Sequence, residues 1–119
     1  MSELIAVVGA GTMGNGIAQV SARAGYDVVL HDVRNEFTER GMSAIDKSLQ
    51  RDVDKERLSG ADKQSIIGRI KTTTDLAGLR NASLIVEAIT ENETIKSNLF
   101  TELDRLTGPS TILASNTSS

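Results

Sequence analysis

Three glycines and one acid stand at spacings that suit a dinucleotide. Gly9, Gly11 and Gly14 form a Gly-x-Gly-x-x-Gly run, and Asp32 follows Gly14 by eighteen residues. Gly9 permits a tight turn, and Gly11 lets backbone lie against a pyrophosphate. Gly14 lets the first turn of a helix press on a sheet. Thr12 and Met13 sit inside the run, where the helix begins and where its free N–H groups and positive dipole end face the anion. A carboxylate at Asp32 can accept hydrogen bonds from ribose hydroxyls and repels a 2′-phosphate. The pattern therefore predicts NAD rather than NADP, with Arg34 as a nearby cation that softens the preference.

A lone glycine run is a weak signal, and its surroundings strengthen it. Leu4 to Val8 is an unbroken apolar run of strand length and enters the turn. Such a run reads as a strand covered on both faces. A helix follows. Met13, Ile17, Val20 and Ala24 recur in it at helical spacing, beside a stripe of small residues at Gly14, Ala18 and Ser21. Gly25 suits a left-handed cap. Asp27 to Asp32 reads as the second strand.

A long helix is predicted over 35–54, with Phe37, Gly41, Ala44, Ile45, Ser48 and Leu49 on one face. The alternating charges from Arg51 to Arg57 read as a solvated helix end. Ser59-Gly60 breaks the chain, and Asp62 can cap a shorter helix carrying Ile66, Ile67 and Ile70. Short β-branched or apolar strands are expected at 70–73, 84–86 and 111–114. A single turn from Asp75 precedes the second of these, and a helix over 93–106 follows it. This order predicts a Rossmann-type doubly wound parallel sheet with strand order 3-2-1-4-5, in one domain spanning 1–119. Ligands then bind beyond the carboxyl ends of the first and fourth strands, where the order reverses.

Composition narrows the classes of partner. The 119 residues carry a net charge of −3, which disfavours nucleic acid and anionic membrane surfaces. Cysteine is absent, so disulfides and thiolate metal sites are excluded, and no metal is expected. Aromatics make up only 3%, so the core must be aliphatic. No apolar run approaches the ~20 residues of a membrane span. The first strand begins almost at Met1, leaving no room for a secretory leader, so a cytoplasmic location is the expectation.

Four stretches carry a resemblance to a known family. They are Val8-Gly9-Ala10-Gly11-Thr12-Met13-Gly14, Val86-Glu87-Ala88-Ile89-Thr90-Glu91, Lys96 with Leu99-Phe100, and Ala114-Ser115-Asn116-Thr117-Ser118-Ser119. The chain resembles the NAD-binding part of the 3-hydroxyacyl-CoA dehydrogenases, and the Ser-Asn-Thr-Ser-Ser run is the most specific of the four. The resemblance implies that Gly9, Gly11, Gly14 and Asp32 bind NAD, with Glu91 and Lys96 on the nicotinamide side. It implies that Ser118 hydrogen-bonds the substrate oxygen and that Asn116 lies in the same loop. It also implies that Ser48 and Lys55 touch coenzyme A. The implied reaction is reversible hydride transfer between NAD and C3 of a 3-hydroxyacyl-CoA, in fatty-acid and butanoate metabolism. Blander roles exist: Glu91 suits a helix N-terminus, and Ser118 can satisfy a turn.

The family's catalytic histidine lies in a Gly-Leu-His-Phe-Phe-Asn-Pro segment that these 119 residues do not contain. His31 is the only histidine, and strand alternation turns it away from the face of Asp32. The chain alone is therefore expected to bind cofactor without turnover. Surfaces that the family covers with further strands and a helical domain are expected to favour self-association. Two other readings stand beside this one. One is a Gly-x-Gly-x-Met-Gly hydroxyacid dehydrogenase of the 6-phosphogluconate and hydroxyisobutyrate group. The other is a non-catalytic nucleotide-binding module.

Overall fold

The computed structural model describes residues 3–88 and 112–115, the last four as backbone only. Five parallel strands form one sheet: β1 (Leu4–Val8), β2 (Asp27–His31), β3 (Ile70–Thr73), β4 (Leu84–Glu87) and β5 (Ile112–Ser115). Their spatial order is β3-β2-β1-β4-β5, as predicted, with every pairing parallel. The switch point falls between β1 and β4, where Val8 is level with Glu87.

Side-chain alternation along the central strand builds two cores. On one face Val7 joins Val28 and Leu30 beneath α1 (Thr12–Arg23) and α2 (Asn35–Asp54), whose Ala18, Ala22, Ile45 and Leu49 fill the layer. On the other face Ala6, Val8 and Ile85 pack with Leu79 and Ala82. Leu79 ends a 3₁₀ turn over Leu76–Leu79, capped by the Asp75 carboxylate accepting from the Ala77 amide. Leu76 at the start of this turn is half-buried. These aliphatic layers are what a chain poor in aromatics must use.

The face that α1 turns to the sheet is the stripe of small residues. Gly14, Ala18 and Ala22 are buried, whereas Met13 and Val20 are 57% and 68% exposed. The Met13–Ile17–Val20 periodicity is real but faces outward, and only Ile17 packs against the core. Close approach decides this. A Cβ on Gly14 would lie 1.6 Å from the Gly9 carbonyl oxygen, a distance that no larger residue could accept.

Helix ends follow local chemistry. α1 ends on Gly25, at φ 103°, with Tyr26 N–H donating to Ser21 and Gly25 N–H to Ala22. α2 closes in the same way without a glycine: Glu56 takes φ 61°, Arg57 N–H donates to Asp52 and Glu56 N–H to Val53. The short helix α3 (Gly60–Gly68) is capped by Ser59, not Asp62. The Ser59 hydroxyl accepts from the Asp62 amide at 3.0 Å, so the acid sits inside the first turn, where its charge suits the dipole. The alternating charges at the end of α2 are put to use: Asp52 pairs with Arg23 of α1 at 2.9 Å.

Three strands differ by one residue from expectation. β2 stops at His31, so Asp32 lies just beyond its last rung, β4 runs one residue further to Glu87, and β5 runs over Ile112–Ser115. The helix expected over 93–106 lies outside the described residues. Among those described, no helix is long and apolar enough to cross a membrane.

Candidate functional site

The turn after β1 is built from both sides. Gly9 takes φ 105°, and its amide donates to the His31 carbonyl at 2.7 Å, carrying the β1–β2 ladder one step past the strand. Ala10 is buried, and its amide donates to Oδ2 of Asp32 at 2.8 Å. The Val33 amide donates to Oδ1 at 2.7 Å. The Asp32 carboxylate is thus held by two backbone amides. A carboxylate offers about four acceptor positions, so roughly two remain for hydroxyl donors.

Gly11 stands at the N-cap of α1 with no side-chain cap, and the first turn holds no acid. A Cβ on Gly11 would meet nothing within 4 Å. Its φ of −68° is open to any residue, so the fold itself does not require glycine there. Gly14 is the opposite case, required by packing alone. Thr12 and Met13 are exposed in the first helical turn. Free helix amides, open space over Gly11 and a fixed carboxylate can together hold an anion and a neighbouring diol.

These groups border one cavity of about 390 Å³, lined by Gly9, Ala10, Gly11, Asp32, Phe37, Arg40 and Ala88. It lies at the carboxyl ends of β1, β2 and β4, as the switch-point rule requires. The sequence alone does not point to Phe37 and Arg40 as site residues: Phe37 reads as part of the packed face of α2, and Arg40 as one of many surface charges. The Arg40 guanidinium carbon lies 5.8 Å from the Phe37 ring centre, and both belong to the first half of α2. Their placement depends on Gly41, whose Cβ position would be 2.9 Å from the Ala10 carbonyl oxygen. That approach seats α2 directly on the glycine turn. Spacing puts Gly41 on the packed face of α2 but does not reveal that this face meets the glycine turn.

The other sequence-derived candidates fall elsewhere. Ser48 is half-buried on α2 and Lys55 is exposed at its C-cap; neither lines the cavity. At ~1.5 Å per residue they lie about 20 and 30 Å along the helix axis from its start. Glu91, Lys96, Asn116 and Ser118 lie outside the described residues. His31 is 5% exposed, and its Nδ1 has no partner. Burial holds its pKa below the ordinary value, against a backbone hydrogen bond at Thr74 and the charges of Asp32 and Asp75. It does not line the cavity, consistent with strand alternation. Among the described residues, no group of three potential metal ligands comes together.

Residues 4–119 match the model of the 3-hydroxyacyl-CoA dehydrogenase NAD-binding domain. The chain belongs to this family. Its cofactor is NAD. A probable 3-hydroxybutyryl-CoA dehydrogenase of Deinococcus radiodurans is 50% identical over 113 residues, covering 95% of this chain and 40% of its own length. The 3-hydroxybutyryl-CoA dehydrogenase of Mycobacterium tuberculosis is 44% identical over 118 residues, covering 98% and 41%. The fold agrees. The crystal structure of (S)-3-hydroxybutyryl-CoA dehydrogenase from Ralstonia eutropha superposes with a TM-score of 0.96 at 40% identity, covering all of this chain and 42% of that one. The chain therefore spans about 40% of the length of these relatives.

Proposed function

We propose that residues 1–119 form one NAD-binding Rossmann unit of a 3-hydroxyacyl-CoA dehydrogenase, acting on a short substrate such as 3-hydroxybutyryl-CoA. The observation that carries the NAD part of this reading is the Asp32 carboxylate, oriented by two amides beside the open face of Gly11, and the substrate follows the names of the similar proteins. The described residues fit NAD: Asp32 takes the adenosine ribose hydroxyls, and the turn over Gly9, Gly11, Thr12, Met13 and Gly14 takes the pyrophosphate. Glu91 and Lys96 border the nicotinamide, Ser118 hydrogen-bonds the substrate oxygen with Asn116 in the same loop on the cofactor side, and Ser48 and Lys55 contact coenzyme A. NAD supplies the hydride chemistry at its nicotinamide ring.

The rest of the reaction needs a group that takes the proton from the C3 hydroxyl. His31, the sole histidine, is buried and outside the cavity, so it does not serve. Losing a general base costs about 10²–10⁴-fold. We therefore assign this chain binding without turnover. We also assign it to the cytoplasm, without nucleic acid or membrane as partners, and with self-association through the surfaces that the family's further strands and helical domain cover. The experiment is an NADH absorbance assay with acetoacetyl-CoA. The reading predicts no measurable decline from this chain. Turnover near the ~10 s⁻¹ of ordinary enzymes would overturn it.

A further inference from the structure

We infer that Glu36 sets cofactor choice together with Asp32, by occupying two arginines that would otherwise receive a 2′-phosphate. The inference rests on the NAD reading of the cavity. One oxygen of Glu36, Oε1, lies 3.3 Å from Nη1 of Arg34, and the other, Oε2, lies 4.0 Å from Nη2 of Arg40. One carboxylate thus faces both cations, hydrogen-bonded to Arg34 and ion-paired at longer range with Arg40. Arg40 itself lines the cavity with Asp32 and Phe37, while Glu36 and Arg34 do not; Arg34 stands two residues after Asp32, beside that wall.

The charge arithmetic at the rim decides the effect. Arg34 and Arg40 contribute two positive charges, and Asp32 and Glu36 two negative ones. An incoming 2′-phosphate meets a neutral rim and the fixed carboxylate of Asp32. Without Glu36 the rim keeps two guanidiniums against one carboxylate. Guanidinium binds phosphate through paired, charge-assisted hydrogen bonds. The arginine side chains are 71% and 75% exposed, so they are free to turn once released. A ribose diol uses Asp32 alone and gains nothing from the release. Glu36 therefore discriminates against the phosphorylated cofactor without touching the preferred one. Its place in the first turn of α2 also suits the helix dipole. That role affects stability, not the ratio of two cofactors.

The test is calorimetric titration of NAD⁺ and NADP⁺ into the unaltered chain and into Glu36→Gln, with thermal melting in parallel. For two exposed ion pairs, NADP⁺ should tighten by about three- to tenfold, with NAD⁺ moving less than about twofold. Adding Arg34→Ala and Arg40→Ala leaves only the Asp32 charge at the rim, so the NADP⁺/NAD⁺ ratio should fall back to its starting value or below it. The gain should fade as salt is raised. An unchanged ratio in Glu36→Gln overturns the inference, as does a gain that survives loss of both arginines. Failure of the unaltered chain to bind NAD⁺ would instead overturn the reading of the cavity, and this inference with it.

Discussion

The amide of Ala10 donates to Oδ2 of Asp32 across twenty-two residues of chain, at 2.8 Å. The bond joins the turn after β1 to the first residue beyond β2. It means that the acid has two tasks: it shapes the turn, and it offers its remaining acceptor positions to the cavity.

Replacing Asp32 should therefore cost both stability and selectivity. Removing a hydrogen bond to a charged group costs about 1.5–3 kcal/mol. Asp32→Ala is expected to weaken NAD⁺ by roughly ten- to hundredfold at that magnitude, to narrow its advantage over NADP⁺, and to lower the unfolding free energy. Titration of both cofactors and urea unfolding read the two effects. Equal affinities for the two cofactors in the unaltered chain would contradict the assignment.

Two glycines in the same turn should behave oppositely. Gly14→Ala puts a Cβ 1.6 Å from the Gly9 carbonyl oxygen, so α1 must lift from the sheet. The expected loss exceeds the ~3 kcal/mol of ordinary overpacking. Gly11→Ala meets open space, and the fold should lose less than about 1 kcal/mol. Yet it should weaken NADH binding clearly, because the methyl occupies the pyrophosphate's place. Denaturant melts and titrations on both variants check this. A Gly11→Ala variant that binds NADH normally would show that the pyrophosphate lies elsewhere.

Much of this arrangement could be read in the residues, and the exceptions have physical causes. The strand order and the span of α2 follow from apolar runs and periodicity. Gly25 announces its helix end because only glycine adopts that backbone freely. Glu56 adopts a similar conformation with a side chain, so the end of α2 carries no such mark. Met13 and Val20 mislead because hydrophobic spacing records an apolar stripe, not which stripe meets the sheet. Backbone proximity selected the smaller residues. Phe37 and Arg40 were hidden because a cavity wall depends on how closely α2 sits on Ala10, which Gly41 controls.

His31 gives the fold a pH dependence. Its folded pKa is lowered by burial, so the unfolded chain binds the proton more readily. Stability is then full above the unfolded value of about 6.5 and falls as pH drops from there toward the folded pKa. Urea unfolding at pH 7.5 and 5.5 should show this loss, and His31→Gln should reduce it. A variant with the same pH dependence as the unaltered chain would place the titration elsewhere.

The central claim is that the cavity over Gly11, bordered by Asp32, holds NAD. Calorimetric titration of NADH into the folded chain tests it most directly. The account predicts saturation at one NADH per chain, displaced by ADP-ribose and weakened by both Gly11→Ala and Asp32→Ala. No binding heat at millimolar NADH, from a chain whose circular dichroism shows it folded, would contradict it.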